Sequence, residues 1–151
     1  MKEIIRAVGS SFFATLGFGL LMQAPKKALG WGAGIGAIGY VLFWSLSKIA
    51  AISQFSMFFA SALASILCQV AARKLRMAAI VFNTMAIIPL VPGLAVYQGM
   101  SYFTQGLSEL GAQTLVKAII DISMMALGLG IGAFAMRVRF ASMKTKKKER
   151  P

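Results

Sequence analysis

Two oppositely charged side chains interrupt a long apolar stretch near the end of the 151-residue chain. Lys117 and Asp121 are four residues apart, so on a helix they lie one turn apart and can form an ion pair. Asp121 follows the start of the stretch, at Gln113, by about 12 Å of helical rise. A charge at this depth is costly and favours a functional role, here the carriage of a coupled proton. The alternative is an ion pair that only orients the helix.

The sequence offers few residues for catalysis or metal binding. The chain has no His and a single Cys, Cys68, so it has neither the usual catalytic base nor the residues for a disulfide. No nucleophile–base pair and no metal-ligand set can be assembled. We therefore predict no catalytic residues, no metal and no cofactor, and an enzyme is the least favoured class of function.

Two prolines and a glycine fall together in the middle of another apolar stretch, the segment Ile87–Leu94. Proline lacks the backbone N–H and clashes with the preceding turn, so the spacing predicts a broken helix. Inside a bilayer such a break persists only where protein or water meets the freed backbone groups, and transporters bind solutes at such places. The alternative is a structural kink without a ligand. The candidate binding or helix-break residues are Asn83, Thr84, Pro89, Pro92, Gly93, Tyr97 and Gln98.

The elements that position these residues are membrane helices. Hydrophobic residues make up 58% of the chain, charged residues only 13%, and the mean hydropathy is +0.76. A soluble domain has roughly 25% charged residues, so the composition predicts an all-α integral membrane protein. Five spans are predicted, the fourth interrupted at Pro89 and Pro92-Gly93, within one transmembrane domain at 1–140 that is followed by a basic tail at 141–151. The spans are 7–23, 29–46, 55–72, 77–103 and 113–136.

The basic residues are distributed unevenly over the predicted connections. With five spans, twelve of the sixteen lie on the side of the C-terminal tail and three on the side of the N-terminus. Cytoplasmic connections carry the excess of Lys and Arg, so we predict the N-terminus outside and the C-terminus in the cytoplasm. The net charge of +12 is thereby explained without nucleic acid as a partner.

Small residues recur at helical spacing in four of the predicted spans. Such stripes let membrane helices pack closely, and several of them predict a compact bundle within an oligomeric assembly. The stripes are Ser10/Ala14/Gly17, Gly32/Gly36/Gly39, Ser61/Ser65/Cys68 and Gly128/Gly132, the last in line with Lys117, Asp121 and Met125.

Three sequence features are distinctive together: Met22-Gln23-Ala24-Pro25, the Gly-rich second span and, most specifically, the P-x-x-P-G-x-x-x-Y pattern of Pro89, Pro92, Gly93 and Tyr97. With these features the chain resembles the threonine/serine exporter family, over roughly residues 8–140. The chain looks like the short, split form of the family, which is similar to the C-terminal half of the fused exporter.

This resemblance implies a subunit of a proton-coupled exporter of threonine and serine in the bacterial inner membrane. It also implies a second membrane subunit similar to the N-terminal half of the fused exporter. Three other functions stay open. They are export of a small organic (dicarboxylic) acid, an oligomeric channel or pore, and a non-transporting scaffold.

Overall fold

Six α-helices make up the part of the chain that the structure describes. A computed structural model describes residues 2–49 and 53–148, and over these residues it shows helices and no strand. Short 3-10 turns at Ser53–Phe55 and Ile88–Leu90 accompany them. The predicted all-α fold is confirmed. The helices are α1 (Lys2–Leu21), α2 (Lys26–Ser47), α3 (Ser56–Leu75), α4 (Ala79–Ile87), α5 (Gly93–Thr104) and α6 (Ser108–Lys148).

Three helices are each long and apolar enough to cross a membrane. They are α2, α3 and the Ser108–Phe140 part of α6, judged by length and composition. A fourth candidate span is the bent pair formed by Ala79–Leu90 and Gly93–Thr104. In α1 the apolar segment, Val8–Leu21, is shorter. The described residues thus give three or four candidate spans, and the fifth span stays a prediction.

The predicted interruption of the fourth span is confirmed, but the distorted segment is shorter than expected. Its two parts meet at an angle of 45°. Val91 is extended (φ −64°, ψ 124°), as expected of a residue that precedes proline. A residue before proline is expected to leave the helical conformation. Ile88 precedes Pro89 yet remains helical (φ −49°, ψ −49°), so that expectation is wrong at Pro89. Pro89 lies in the first turn of the 3-10 segment, where a missing N–H is tolerated, and the helix breaks at Pro92.

The glycine stripe of α2 packs against several different neighbours. A β-carbon at Gly32 would lie 3.0 Å from the sulfur of Met85 in α4, and one at Gly36 would lie 2.6 Å from the hydroxyl oxygen of Thr15 in α1. At Gly39 the nearest neighbours are Ala64 in α3 and Leu90 in the 3-10 turn, both at 3.5 Å. All three glycines are buried. The predicted stripe therefore places α2 at the centre of the bundle.

The stripes of α3 and α6 face each other. Ser61, Ser65 and Cys68 are fully buried, and the Ser65 hydroxyl donates a hydrogen bond of 3.0 Å to the backbone oxygen of Leu129. A β-carbon at Gly132 would lie 2.6 Å from the backbone oxygen of Ala62. The two backbones therefore approach closely, as small residues permit between membrane helices.

In α1 the predicted stripe of Ser10, Ala14 and Gly17 is wrong. Ser10 and Ala14 are exposed, and a β-carbon at Gly17 would have no atom within 4 Å. The buried face is instead formed by Ser11, Thr15 and Gly19. Two interleaved stripes of small residues exist in this helix, and the spacing alone does not distinguish which one meets α2.

Contacts between cations and aromatic rings tie three helix ends together. The guanidinium carbon of Arg73 lies 3.4 Å from the ring centre of Phe140, and the ammonium of Lys74 lies 4.9 Å from that of Trp31. The start of α2, the end of α3 and the late part of α6 therefore share one end of the bundle. This end, named here the basic end, also carries Arg137 and Arg139 in sequence.

The final helix is longer than the fifth predicted span. It continues past residue 136 to Lys148 without a break, so no helix end marks the predicted boundary between membrane domain and tail. Residues 149–151 of that tail lie outside the described residues.

The contact between α3 and α6 predicts a sharp contrast between two neighbouring glycines. We expect Gly132→Ala to lower stability by about 1–3 kcal/mol, because the added methyl group collides with backbone. Gly130→Ala is the matched control, since a β-carbon there has open space within 4 Å. Thermal unfolding of the purified protein in detergent measures both. Equal midpoints for the two variants would contradict the packing described here.

Candidate functional site

A cavity of about 570 Å³ lies beside the helix break. Its volume falls within the roughly 300–1,000 Å³ typical of small-molecule sites. This space, named here the break cavity, is bounded by α2, α3, α5, α6 and the break itself. It is lined by Tyr40, Phe43, Met57, Pro89, Leu90, Val91, Pro92, Ala95, Gln98, Gln113, Thr114, Lys117 and Asp121.

The polar side of the break cavity comes mainly from one face of α6. Gln113, Lys117 and Asp121 follow one another at intervals of four residues, which places them in a row along a helix. Asp121 is half-buried and Lys117 is exposed on the surface of the chain. The row therefore presents an amide, a cation and a carboxyl group to the same space.

The orientation of α6 explains why its charges face this space. Gly128 lies seven residues after Asp121, close to two helical turns, and therefore on the same face. Gly128 and Gly132 are both buried against α3. With that face turned inward, Asp121 lies between the packed seam and the exposed Lys117. The predicted alignment of the charge with the small-residue stripe agrees with this arrangement.

The break supplies backbone polarity to the same region. The first acceptor within α5 is the Pro92 carbonyl, which receives a hydrogen bond of 3.2 Å from the N–H of Val96. The N–H groups that precede Val96 have no acceptor within the helix, and they carry the positive end of the helix dipole. Ala95, in this first turn, lines the cavity. The cavity thus has a helix N-terminus on one side and Asp121 on another.

Five of the nine predicted site residues meet in the break cavity. They come from the break, from α5 and from α6, and are Pro89, Pro92, Gln98, Lys117 and Asp121.

The other four predicted residues lie elsewhere. Thr84 donates a hydrogen bond of 2.8 Å to the Ile80 carbonyl and borders a different cavity. Asn83 is half-buried, and its buried side-chain oxygen has no hydrogen-bond partner in the described part of the chain. Gly93 begins α5 in open space, and Tyr97 is 70% exposed. The bend turns the faces of α4 and α5 relative to each other, so residues flanking the break do not share one side.

A second cavity, of about 750 Å³, adjoins the first. Ser47 ends α2, Ser53 begins the 3-10 turn that follows and Ser56 begins α3, so this serine cavity lies at the end of the bundle opposite the basic end. The remaining wall comes from Phe43 and from α6. Its lining is Phe43, Ser47, Ser53, Ser56, Ala112, Gln113, Val116, Lys117, Ile120 and Asp121.

A third cavity, of about 410 Å³, lies between the α1–α2 turn and α4. The Met22–Pro25 turn forms one wall, with Gln23 in the left-handed region at φ 51°. The other wall consists of Ile80, Val81, Thr84 and Met85. It contains no charged side chain among its lining residues, so it offers less to a polar solute than the break cavity.

Sequence reasoning missed the contributions of Gln113, Thr114, Tyr40 and Phe43. A signal for Gln113 existed, because it extends the four-residue spacing of Lys117 and Asp121 by one turn toward the N-terminus. Tyr40 and Phe43 lie in an apolar span without any distinguishing pattern. Only the packing of α2 against the other helices reveals their position.

Comparison with known proteins places the chain in a family. No curated protein and no solved structure shows significant similarity to it. The sequence model of the family described as "Threonine/Serine exporter, ThrE" matches residues 7–135, which is most of the chain and includes the break, α5 and the charged pair of α6. The protein with this interrupted helix and charged cavity therefore belongs to the threonine/serine exporter family.

Proposed function

We propose that the chain is a subunit of a secondary exporter that moves threonine and serine across the bacterial inner membrane, driven by the proton gradient. One observation carries the proposal. The break cavity combines an interrupted helix with a carboxyl group, an ammonium group and two amide side chains. Family membership supplies the substrate class.

The chemistry of the cavity suits a small zwitterion. In this proposal the substrate carboxylate binds near the N-terminus of α5 and Lys117, where both the helix dipole and the cation favour negative charge. The substrate ammonium binds Asp121. Gln98, Gln113 and Thr114 supply hydrogen bonds for the side-chain hydroxyl that threonine and serine share.

Asp121 is also the proposed proton carrier. The sequence has no His, and Asp121 is its only acidic residue between the start of α2 and the end of α6 other than Glu109, near the first turn of α6. A carboxyl group that binds either a proton or the substrate ammonium couples the two movements, because the two compete for the same charge.

The proposed topology has five spans, the N-terminus outside and the C-terminus in the cytoplasm. In this arrangement α1 is the first span, the bent pair is the fourth, and the basic end faces the cytoplasm. The grouping of the starts and ends of α2, α3 and α6 supports the proposal, since it puts the cationic helix ends on one side.

The partner in this proposal is a second membrane subunit that resembles the N-terminal half of the fused exporter. Lys117, Gln98 and Gln113 are exposed on the surface of the isolated chain. Charged and amide side chains are costly in contact with lipid. Tyr97 and Leu94, both about 70% exposed, continue this surface along α5. The partner therefore covers α5 and the adjacent face of α6 and closes the open side of the break cavity.

Replacement of the carboxyl group tests the coupling. With the chain and its partner co-expressed, cells are loaded with a threonine-containing dipeptide and threonine efflux is followed. We expect Asp121→Asn to reduce proton-driven export about tenfold or more, because a hydrogen bond to a charged group contributes roughly 1.5–3 kcal/mol. Export that remains normal and still responds to the proton gradient would remove Asp121 from the mechanism.

Glu109→Gln is the control for that variant. Glu109 is the other carboxyl group of α6, accepts a hydrogen bond of 3.5 Å from Gln113, and does not line the break cavity. Glutamine retains an acceptor there, so export should stay near the level of the unmodified chain. Flux that does not depend on the proton gradient in any variant would favour a pore. Export that persists when this chain is absent would favour a scaffold.

The amide of Gln98 tests substrate binding separately from coupling. We expect Gln98→Leu to raise the KM for threonine by about two- to tenfold, as the loss of a hydrogen bond worth roughly 0.5–1.5 kcal/mol predicts. Gln105→Leu is the matched control, because Gln105 lies after α5 and bonds Ser101 at 3.0 Å outside the cavity. Equal KM values for the two variants would exclude Gln98 from the binding site.

A further inference from the structure

The serine cavity and the break cavity are neighbours that share part of their walls. Four residues line both of them, namely Phe43, Gln113, Lys117 and Asp121. Residues that border both cavities mark the region where the two cavities meet. Three of the four come from the polar row of α6, so Phe43 is the contribution of α2 to the boundary.

Phe43 is well supported in this position. It is half-buried and packs against the apolar core. Its ring centre lies 6.2 Å from that of Tyr40, one turn earlier on α2, with the two planes tilted by 49°. Contacts of this kind restrict an aromatic side chain to a defined place. The shared border therefore combines an apolar ring from α2 with an amide, a cation and a carboxyl group from α6.

The serine cavity carries hydroxyl groups at one end of the bundle. The Ser47 hydroxyl donates to the Trp44 carbonyl at 2.9 Å, and the Ser56 hydroxyl donates to the Ser53 carbonyl at 2.7 Å. A hydroxyl oxygen that donates locally keeps its lone pairs as acceptors. These serines lie where α2 ends and α3 begins, so the cavity reaches one end of the bundle while its inner wall reaches Asp121.

We propose that the serine cavity is the vestibule of the transport path and that Phe43 controls passage between it and the break cavity. This inference rests on the proposed function for the identity of the solute. Phe43 limits the size of the side chain that passes, and the facing polar row of α6 binds the charged groups of the amino acid. The class of solute selected is a zwitterion with a short side chain, and Phe43 is a specificity-determining residue.

Access to the break cavity can be measured without transport. The full-length chain carries Cys68→Ala and is co-expressed with its partner. In this background, labelling of Gln98→Cys measures access to the break cavity, and labelling of Ser47→Cys measures access to the vestibule. Cys68 is the single cysteine of the chain, so its replacement removes the native thiol. A membrane-impermeant maleimide is applied to intact cells and to inside-out vesicles, and the preparation that labels Ser47→Cys identifies the vestibule side.

From that side, we expect Phe43→Ala to speed the labelling of Gln98→Cys roughly tenfold, corresponding to a barrier lowered by about 1.4 kcal/mol. Phe43→Trp should slow it, and Phe43→Leu should give an intermediate rate and serve as the variant that best preserves packing. Labelling of Ser47→Cys should not change. Thr84→Cys, labelled from the opposite side, is the second control, because the third cavity lies at the α1–α2 turn and shares no lining residue with the other two.

The same Phe43 variants distinguish selectivity from access. We expect Phe43→Ala to export larger neutral amino acids that the unmodified chain rejects. Labelling rates at Gln98→Cys that are the same with Ala, Leu and Trp at position 43 would overturn the inference, as would labelling of Gln98→Cys only from the side opposite to Ser47→Cys. Rates that follow the size of residue 43, with no threonine export under any condition, would support the boundary and refute the proposed function.

Discussion

The close approach of α3 and α6 sets the direction of every charged group in the site. Gly128 and Gly132 bring the backbone of α6 against Ser61, Ala62 and Ser65, and no larger residue fits there. This contact fixes the rotation of α6 about its own axis. Asp121 lies on the same face two turns earlier and Lys117 one turn before that, so the glycines determine that both border the cavity. A rotation of half a turn would direct the carboxyl group into lipid, where an ionised group is costly.

The break in the fourth candidate span completes the site from the opposite side. Its two prolines act differently, because Pro89 sits within a 3-10 turn and Pro92 follows the extended residue Val91. The result is a short helix with its N-terminus beside the cavity. An uninterrupted helix would satisfy its own backbone and leave this wall of the cavity apolar. The interruption therefore adds polarity to the site without requiring another charged side chain.

Much of this arrangement follows from the sequence, and the exceptions have physical causes. Composition and proline spacing predict the helices and the break, and the spacing of small residues predicts the faces of α2, α3 and α6. The buried stripe of α1 is a neighbouring one, since two sets of small residues are available in that helix. Asn83, Thr84 and Tyr97 lie outside the break cavity because helical periodicity does not carry across a bend of 45°. Tyr40 and Phe43 are unremarkable in sequence and gain their position only from tertiary packing.

α6 continues without a break from the charged row to the end of the described chain. Its 41 residues correspond to about 60 Å at the helical rise, roughly twice the thickness of a bilayer's hydrocarbon core. The glycine contact with α3 lies between Asp121 and the cationic end of this rod. A change in the tilt of α6 about that contact would therefore move Asp121 and the C-terminal end of the helix in opposite directions. The carboxyl group at the cavity and the last turns of the chain's longest helix thus belong to one continuous element.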